Sequence, residues 1–450
     1  MGYRYRARWI NLAHVCRRWR SVVFQSPRRL NLRLVCTRRT PARDTLDIWP
    51  PLPLIIRDFD SYFRVLESRS SRDNVNAALE HNDRVCQIDL DYFSSLHLIY
   101  ITDSAAMQKP FPELTDLRLC LMDGPGLMLP DSLLGGTAPR LRSLVFSRVK
   151  FPGLPKLLLS TTHLVNLVLD NIPSSGYIPP EAMATSLSAL TSLESLYLHF
   201  LYPRPRPALE TRRPPPLTRS ILPSLTYIFF HGASEYLEEI LARIDAPQLD
   251  RLSIIFFNQI IFDTPQLFQF ISRRPTLRAQ KQGYIEFSPR SPLVKFLSQI
   301  LDDEVLTMEI LCKASECIVS EWQLSSLAQV CTSSLPPIST LEDLYIFFYF
   351  SDSSSFPPHR QDDDEDTLWL ELLHPFTAVK NLYVGKGIVP RIACALQELG
   401  ETTEVLPALE NVFLDEFQPS GSPHKGIEKF VAARQLTGHP VAVSRWDGDL

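Results

Sequence analysis

The chain has 450 residues, of which 45% are hydrophobic and 21% charged, and this composition excludes a protein that is disordered throughout. The net charge of −4 is unevenly distributed, because residues 1–43 contain twelve arginines and no Asp, Glu or Lys. No apolar run approaches the ~20 residues of a membrane helix and no secretory signal pattern occurs, so we expect a cytoplasmic or nuclear protein without a membrane partner.

The N-terminal segment predicts one amphipathic helix over residues 10–25. Its apolar side chains recur every three or four positions, whereas Arg17, Arg18 and Arg20 fall on the other side. The apolar stripe comprises Leu12, Val15, Cys16, Trp19, Val22 and Val23. Pro27 favours an end of the helix just before it. The helix is therefore expected to have one apolar face and one basic face.

A repeated pattern follows. A strand-like triplet of apolar residues at positions i, i+3 and i+5 recurs eleven times between Val85 and Leu414. The triplets begin at Val85, Leu114, Leu141, Leu164, Leu193, Leu225, Leu249, Val305, Leu341, Val379 and Leu409. The longest gap predicts a missing triplet near Leu277, and with that triplet counted the mean spacing is about 29 residues, which is in the range of leucine-rich repeats. Segments between triplets, such as "SEYLEEILARI" at 234–244, show helical periodicity.

This alternation of strand and helix predicts an α/β fold. The expected architecture is a leucine-rich-repeat-like solenoid, with a curved parallel sheet and flanking helices. We expect a short helical segment at 1–45, the repeat array at 46–421 and a C-terminal cap at 422–450. The Pro- and Arg-rich segment 202–217 and the acidic segment 351–367 are predicted to be loop insertions in the array.

The stretch "HVCRRWRSVVFQSPRRLNL" at 14–32 resembles the C-terminal half of an F-box, whose last helix often reads L-x-x-V-C-R-x-W-R-x-x-x-x-x-S-P. Together with "NVNAALEHNDRVCQIDL" and the terminal "FVAARQLTGHPVAVSRW", it makes the chain similar to fungal F-box-like proteins. In that family the module precedes a degenerate leucine-rich-repeat array. The Leu-Pro-x-Glu opening of the usual F-box is missing here, so we expect an F-box truncated at its N-terminus.

The resemblance implies a substrate receptor of an SCF-type cullin-RING ubiquitin ligase. In such receptors the F-box docks on a Skp-type adaptor, and the repeats hold the target protein. Carried over to this sequence, the adaptor-binding residues are Leu12, Val15, Cys16, Trp19 and Val23. The same apolar stripe could instead pack on the first repeat as an N-terminal cap, in which case the chain is a repeat scaffold without a ligase role.

The face that binds the target protein is predicted from the alternation of side chains along each strand. Residues at i+2 and i+4 lie next to the buried i+3 and i+5 and should point to the concave face. Its aromatic members, the expected partner-binding residues, are Tyr197, Tyr227, Phe229, Tyr345 and Tyr383. Alternatively, these rings fill space beneath loops. If they bind a partner, replacing Tyr197, Tyr227 and Tyr345 by alanine should abolish binding and leave the melting temperature nearly unchanged.

Other classes of function find less support in the sequence. No H-E-x-x-H, G-x-S-x-G, phosphate-loop or dinucleotide glycine pattern occurs, so we expect no enzymatic activity and no cofactor. The scattered cysteines form no cluster with histidine, and no metal site is expected. Nucleic-acid binding is the rival function, because Tyr3, Tyr5 and Trp9 alternate with arginines, but no RNA- or DNA-binding signature accompanies them. A mitochondrial presequence is a further alternative for the same stretch.

Overall fold

The computed structural model describes residues 15–25, 32–37, 42–43, 46, 52–59, 69–92, 95–122, 124, 126–202, 219–257, 262–278, 280–288, 291–297, 304–311, 321–348, 363–385, 387–398, 405–415 and 422–446. These residues form two compact units. Unit 1 comprises the described residues up to Tyr202 together with Ser220–Leu225. Unit 2 comprises Arg219 and the described residues from Thr226 onward.

Unit 1 alternates strands with helices. Its helices are α1 (Arg17–Gln25), α2 (Arg69–Leu79), α3 (Ser95–Thr102), α4 (Leu154–Ser160) and α5 (Pro180–Ser188). Its strands are β1 (Leu34–Cys36), β2 (Leu54–Phe59), β3 (Val85–Tyr92), β4 (Asp116–Leu121), β5 (Leu127–Met128), β6 (Ser143–Ser147), β7 (Val149–Lys150), β8 (Asn166–Ile172), β9 (Ser195–Phe200) and β10 (Ser220–Ile221). A parallel sheet forms from β1, β2, β3, β4, β6, β8 and β9, in that order.

The apolar triplets form the buried side of this sheet. In β6, Leu144 and Phe146 are buried, whereas Val145 between them is half-buried on the opposite side. Strand register places Leu144 beside Leu117 of β4 and Leu167 of β8, so the leucines continue one another from strand to strand. Full burial of one such side chain contributes about 1.5–3 kcal/mol. The predicted parallel sheet with flanking helices is thereby confirmed.

The sheet begins earlier than the first predicted triplet. Strands β1 and β2 are parallel, with Leu34 beside Leu54, and β2 pairs in turn with β3. Strand β1 precedes residue 46, the expected start of the array. Strand β2 escapes the triplet pattern because a carboxylate, Asp58, occupies the buried position that pairs with Leu90 of β3.

Unit 2 repeats the alternation. Its helices are α6 (Ser234–Leu241), α7 (Pro265–Ser272), α8 (Pro275–Arg278), α9 (Glu321–Ser334), α10 (Asp363–Leu373), α11 (Val389–Glu398) and α12 (Ser422–Leu436). Its strands are β11 (Tyr227–Gly232), β12 (Ile244–Asp245), β13 (Arg251–Phe257), β14 (Gln282–Phe287), β15 (Pro292–Leu297), β16 (Glu304–Leu311), β17 (Asp343–Phe348), β18 (Asn381–Val384), β19 (Asn411–Asp415) and β20 (Ala442–Trp446). In its sheet the order is β11, β13, β16, β15, β14, β17, β18, β19 and β20.

One strand of this sheet runs against its neighbours. Strand β15 is antiparallel to both β14 and β16, whereas β14 is parallel to β17 and β16 is parallel to β13. The chain therefore passes from β13 to β14, returns through β15, and reaches the place beside β13 only with β16. The strand that the triplet pattern lacks is β14, and Leu277 itself is buried in α8.

Strand β14 escapes the triplet pattern because glycine occupies a leucine position. Register places Gly283 beside Leu344 and Ile285 beside Ile346. A Cβ atom added at Gly283 would lie 2.8 Å from Cδ1 of Leu341. The side chain of Leu341 thus fills the space that a leucine on β14 would need, and the buried layer stays packed.

The predicted triplet that begins at Val305 is displaced by two residues. Leu306 and Met308, not Met308 and Ile310, pair with Leu252 and Ile254 of the preceding parallel strand. A shift of two residues keeps Met308 and Ile310 on the buried side, because side chains alternate with a period of two. Val305 lies on the opposite side.

Two expected segments contain regular structure. Within the predicted acidic loop 351–367, the residues from Asp363 onward begin α10. Residues 203–218 and 351–362 lie outside the described residues. The predicted cap at 422–450 contains α12 and β20, and β20 pairs in parallel with β19. The C-terminal segment therefore continues the alternation of helix and strand.

Candidate protein-interaction surfaces

The side of the unit 2 sheet that faces away from the buried triplets carries a continuous row of side chains across nine strands. We call this side the open face of unit 2. Each member of the row is the register partner of the next, so the order follows directly from the strand pairing. From β11 to β20 the row is Phe229, Ser253, Thr307, Lys295, Tyr284, Tyr345, Tyr383, Phe413 and Ser444.

Four neighbours in this row, Tyr284, Tyr345, Tyr383 and Phe413, form what we call the aromatic stack. Ring centroids are 4.5 Å apart for Tyr284 and Tyr345, 4.2 Å for Tyr345 and Tyr383, and 4.6 Å for Tyr383 and Phe413. The planes of successive rings differ by 10° or less. Adjacent strands lie about 4.8 Å apart, so the sheet itself sets the separation of the rings.

Further side chains of the same sheet support the aromatic stack. Trp446 of β20 packs edge-on, with its ring 6.0 Å from that of Tyr345 and 5.7 Å from that of Tyr383. Beside the rings runs a ladder of polar side chains, Asp343, Asn381 and Asn411. The Nδ2 atom of Asn411 donates to Oδ1 of Asn381 at 2.8 Å, and Nδ2 of Asn381 donates to Oδ1 of Asp343 at 2.7 Å.

The two central phenols of the aromatic stack are held in their neutral form. Burial raises the pKa of Tyr345 well above its ordinary value, and the neighbouring Tyr383, Tyr284 and Asp343 raise it further. Burial, together with the charge of Asp343, also raises the pKa of Tyr383. Both hydroxyls therefore keep their proton at physiological pH and can donate it in a hydrogen bond. The open face of unit 2 thus offers apolar ring edges together with polar hydroxyl groups.

The structure separates the five predicted partner-binding residues. Tyr345 and Tyr383 are adjacent in the aromatic stack. Tyr227 and Phe229 lie on β11, at the other end of the unit 2 sheet, and Tyr197 lies on β9 in unit 1. The guanidinium carbon of Arg251 lies 5.3 Å from the ring centroid of Tyr227. The fold therefore brings together two of the five residues.

The corresponding side of the unit 1 sheet, which we call the open face of unit 1, is polar and charged. Arg57, Asp89 and Arg118 are register partners on β2, β3 and β4. The Nε atom of Arg57 is 3.4 Å from Oδ2 of Asp89, and Nε of Arg118 is 3.6 Å from its Oδ1. Burial raises the pKa of Asp89, although both arginines oppose this shift. The carboxylate of Asp89 thus already forms ion pairs with both guanidinium groups.

Tyr197 lies beside a polar cluster centred on Asp170. Its ring centroid is 6.4 Å from that of His199. The carboxylate of Asp170 lies 2.8 Å from Nδ1 of His199, and it accepts hydrogen bonds from Oγ of Ser147 at 2.8 Å and Nδ2 of Asn171 at 2.7 Å. Burial acts to raise the pKa of Asp170, but these hydrogen bonds outweigh burial and hold the pKa below its usual value.

Replacement of Asp170 by asparagine is expected to destabilise unit 1 by about 1–2 kcal/mol near neutral pH, because half-buried donors lose their charged acceptor. A carboxylate whose pKa is lower in the folded state stabilises the fold above its unfolded pKa, and this contribution is lost as the pH falls through the folded pKa. The difference between wild type and D170N should therefore shrink below about pH 4. Urea unfolding over a range of pH measures this difference in unfolding free energy. The exposed Asp131→Asn variant is the control. A difference that grows on acidification would contradict the assignment.

The N-terminal helix α1 leaves much of its apolar stripe exposed. Trp19 is 50% exposed, and Val15, just before the helix, is 63% exposed. Val23 is buried, with 2% exposure. Cys16 is also exposed, and Leu12 lies outside the described residues. The apolar stripe is therefore only partly covered: Val23 is buried, whereas Val15 and Trp19 are exposed.

Three residues of the open face of unit 2 were missed by the sequence pattern. Phe413 could have been found, because the triplet that begins at Leu409 places it at i+4. Tyr284 gave no signal, since glycine interrupts the triplet on its strand. Trp446 lies beyond the last triplet, in a segment predicted to be a cap.

Sites of other kinds are sparse in the parts of the chain that the structure describes. Among those residues, no group of three or more His, Cys, Asp or Glu could hold a metal ion. Nor is any helix there both long and apolar enough to cross a membrane. A groove of about 570 Å³ lies on the helical side of unit 2, lined by residues that include Gln329 of α9 and Leu370 of α10.

Comparison with known proteins shows a weak structural similarity. No protein-family model and no curated protein matches the sequence. Among solved structures, the chain is similar to the crystal structure of the leucine-rich repeat-containing protein LegL7 from Legionella pneumophila. The identity is 13%, the match covers 91% of this chain and 99% of that chain, and the TM-score is 0.26. So weak a similarity decides neither fold nor function, which rest on strand register and on the arrangement of the open faces.

Proposed function

We propose that the protein is a non-catalytic interaction scaffold that binds another protein on the open face of unit 2. The observation that carries this proposal is the aromatic stack, in which four adjacent strands each contribute one ring to the same row. Tyrosine and tryptophan are enriched in binding hot spots, because they provide a large contact area with few rotatable bonds. Tyr345, Tyr383 and Trp446 are half-buried, so each keeps part of its ring accessible.

The rigidity of this surface supports the same function. Each ring of the aromatic stack is held by its stacking neighbours, and Tyr345 and Tyr383 also touch Trp446. Side chains that are already ordered lose little conformational entropy when a partner binds, and this preorganisation increases affinity. The strand backbone adds further order, because every ring projects from a hydrogen-bonded sheet.

Photo-cross-linking tests the proposed face directly. We expect a benzophenone amino acid placed at Asn411, beside the aromatic stack, to form covalent products with other proteins in a cell extract. The matched control carries the same amino acid at Phe268, which is 41% exposed on the helical side of unit 2. In both proteins the Tyr383→Ala substitution is then added, and it should suppress the products from position 411 only. Equal products from both positions, or no effect of Tyr383→Ala, would contradict the proposal.

We further propose that the chain is a substrate receptor of an SCF-type cullin-RING ligase, with α1 directed to a Skp-type adaptor. The resemblance of residues 14–32 to an F-box helix supports this role. So does the exposure of Val15 and Trp19, because exposed apolar side chains on one helix are common at protein-protein interfaces. A repeat scaffold without a ligase role is the alternative.

Adaptor binding is expected to depend on the exposed apolar side chains of α1. The Val15→Glu and Trp19→Glu substitutions should each weaken retention of a purified Skp-type adaptor about tenfold or more, because they place a charge in an apolar contact. Thermal stability should change little, since both positions are exposed. Arg17→Ala is the matched control on the same helix. If the wild-type protein does not retain the adaptor, the receptor role is wrong and the repeat scaffold without a ligase role is the remaining alternative.

A further inference from the structure

The aromatic stack is closed at one end and open at the other. At its β14 end, Nζ of Lys295 lies 5.6 Å from the ring centroid of Tyr284, so a cation of the protein itself caps the stack. At its β19 end, the next position in the row is Ser444 of β20, whose side chain is small and exposed. Within the described part of the chain, the outer face of Phe413 has no aromatic or cationic neighbour.

The strand spacing of the sheet determines the size of the space beside the outer face of Phe413. Successive rings follow one another at the strand spacing, so the place above Ser444 lies one further step along the same row. A flat group as thick as one aromatic ring, placed on Phe413, would continue the stack. We call the place bounded by Phe413, Ser444, Asp415 and Trp446, the register partner of Asp415, the notch.

The charge at the notch is negative. Asp415 follows Phe413 by two residues on β19 and therefore lies on the same face of the sheet. Its carboxylate makes no ion pair with any described residue. The cations of this face are engaged elsewhere: Nζ of Lys295 is 3.7 Å from Oε2 of Glu286, and Arg251 lies over the ring of Tyr227. A positively charged group of a partner would therefore neutralise the unpaired carboxylate of Asp415.

From these observations we propose that the notch binds the guanidinium group of an arginine in the partner protein. This inference rests on the proposed function of the open face of unit 2. Guanidinium is planar and stacks on aromatic faces, and its fork of N–H donors matches a carboxylate. A lysine ammonium would pair with the carboxylate of Asp415 but has no flat surface to stack on Phe413. An aromatic side chain would stack on Phe413 but carries no positive charge for Asp415. Arginine is the side chain that satisfies both Phe413 and Asp415.

The test uses the full chain and the probe peptide acetyl-Gly-Ser-Arg-Ser-Gly-amide, with binding followed by saturation-transfer NMR. We expect a Kd on the order of 1 mM, which suits this method. Replacing the arginine by citrulline, which keeps the shape and removes the charge, or by lysine should each weaken binding about fivefold or more. Equal binding of the three peptides would overturn the proposal.

Two variants of the protein examine the notch itself. Asp415→Asn should weaken binding of the arginine peptide about fivefold or more. Ser444→Phe should abolish this binding, because a fifth ring would fill the notch. The matched controls are Glu410→Gln, an exposed carboxylate just before β19, and Ala442→Phe, which adds the same ring two residues away on the same strand. Both controls should bind within about twofold of wild type. Unchanged binding by D415N and S444F would refute the assignment.

Photo-cross-linking from Asn411 separates this inference from the proposed function. If protein products from position 411 persist while the arginine peptide fails to bind, the open face of unit 2 binds a partner by other means and only the arginine assignment is wrong. If the products are also absent, the proposed function fails as well. Thermal melting of the Ser444→Phe protein shows whether it is folded, and Asp415→Asn, which keeps the size of the side chain, provides an independent readout.

Discussion

Replacing Tyr383 by alanine is expected to lower the free energy of unfolding of unit 2 by about 2–4 kcal/mol. The substitution removes the ring that lies 4.2 Å from Tyr345 and 4.6 Å from Phe413, and it removes the edge contact with Trp446 at 5.7 Å. Each aromatic pair contributes about 0.5–1.5 kcal/mol beyond its buried area. Urea unfolding followed by circular dichroism measures the loss.

A matched control and a double-mutant cycle make this result specific. Phe268→Ala removes a ring that is 41% exposed on α7 of the same unit, and it should cost less than about 1 kcal/mol. The cycle between Tyr345→Ala and Tyr383→Ala should give a coupling energy of about 1 kcal/mol, because the two rings are in direct contact. A coupling energy near zero would show that the rings do not support one another in solution.

Replacing Trp369 by alanine is expected to have the largest effect on stability, a loss of about 3–5 kcal/mol. Trp369 is fully buried on α10, and its ring packs edge-on against Phe287 of β14 with centroids 5.5 Å apart. The substitution leaves a cavity beneath β14, the strand that carries Tyr284 on its open face. We therefore also expect weaker photo-cross-linking from Asn411.

The exposed Glu371→Ala on the same helix is the control for this prediction, and it should change stability by less than about 0.5 kcal/mol. Urea unfolding compares the two variants under identical conditions. A loss below about 1 kcal/mol for Trp369→Ala would mean that the helix layer does not pack on β14 as the structure has it.

The aromatic stack changes one expectation drawn from the sequence. Alternation along the strands predicted that alanine at Tyr345 would leave the melting temperature nearly unchanged, as for an exposed side chain. In the structure its ring lies between those of Tyr284 and Tyr383, and its removal should destabilise the fold. Binding and stability are therefore linked at this position, so a loss of binding by Tyr345→Ala has to be compared with its loss of stability.

Local alternation determined most of the strand architecture. Where apolar side chains filled both i+3 and i+5, as at Leu144 and Phe146 or at Leu382 and Val384, the expected strand formed with these residues buried. The reason is physical: a period of two places such residues on one side of a strand, and only burial of that side stabilises the strand. The same periodicity placed Tyr345 and Tyr383 on the opposite side.

The N-terminal helix shows where local pattern stops being informative. Its apolar stripe could be read from the spacing of Val15, Trp19 and Val23, but the pattern could not tell which of them would be covered. That depends on contacts with residues far away in the sequence. The structure buries Val23 and exposes Val15 and Trp19.

The sequence by itself determined the strands that carry the triplets, the helical segments between them and the face to which the side chains of those strands point, because these follow from contacts within a few residues. Only the tertiary structure decided which strands are neighbours. It inserted the antiparallel β15 between β14 and β16, and it let Leu341 fill the space left by Gly283. It also aligned four rings from distant parts of the chain at the strand spacing. Such register arises from pairing between segments far apart in sequence, which no local periodicity encodes.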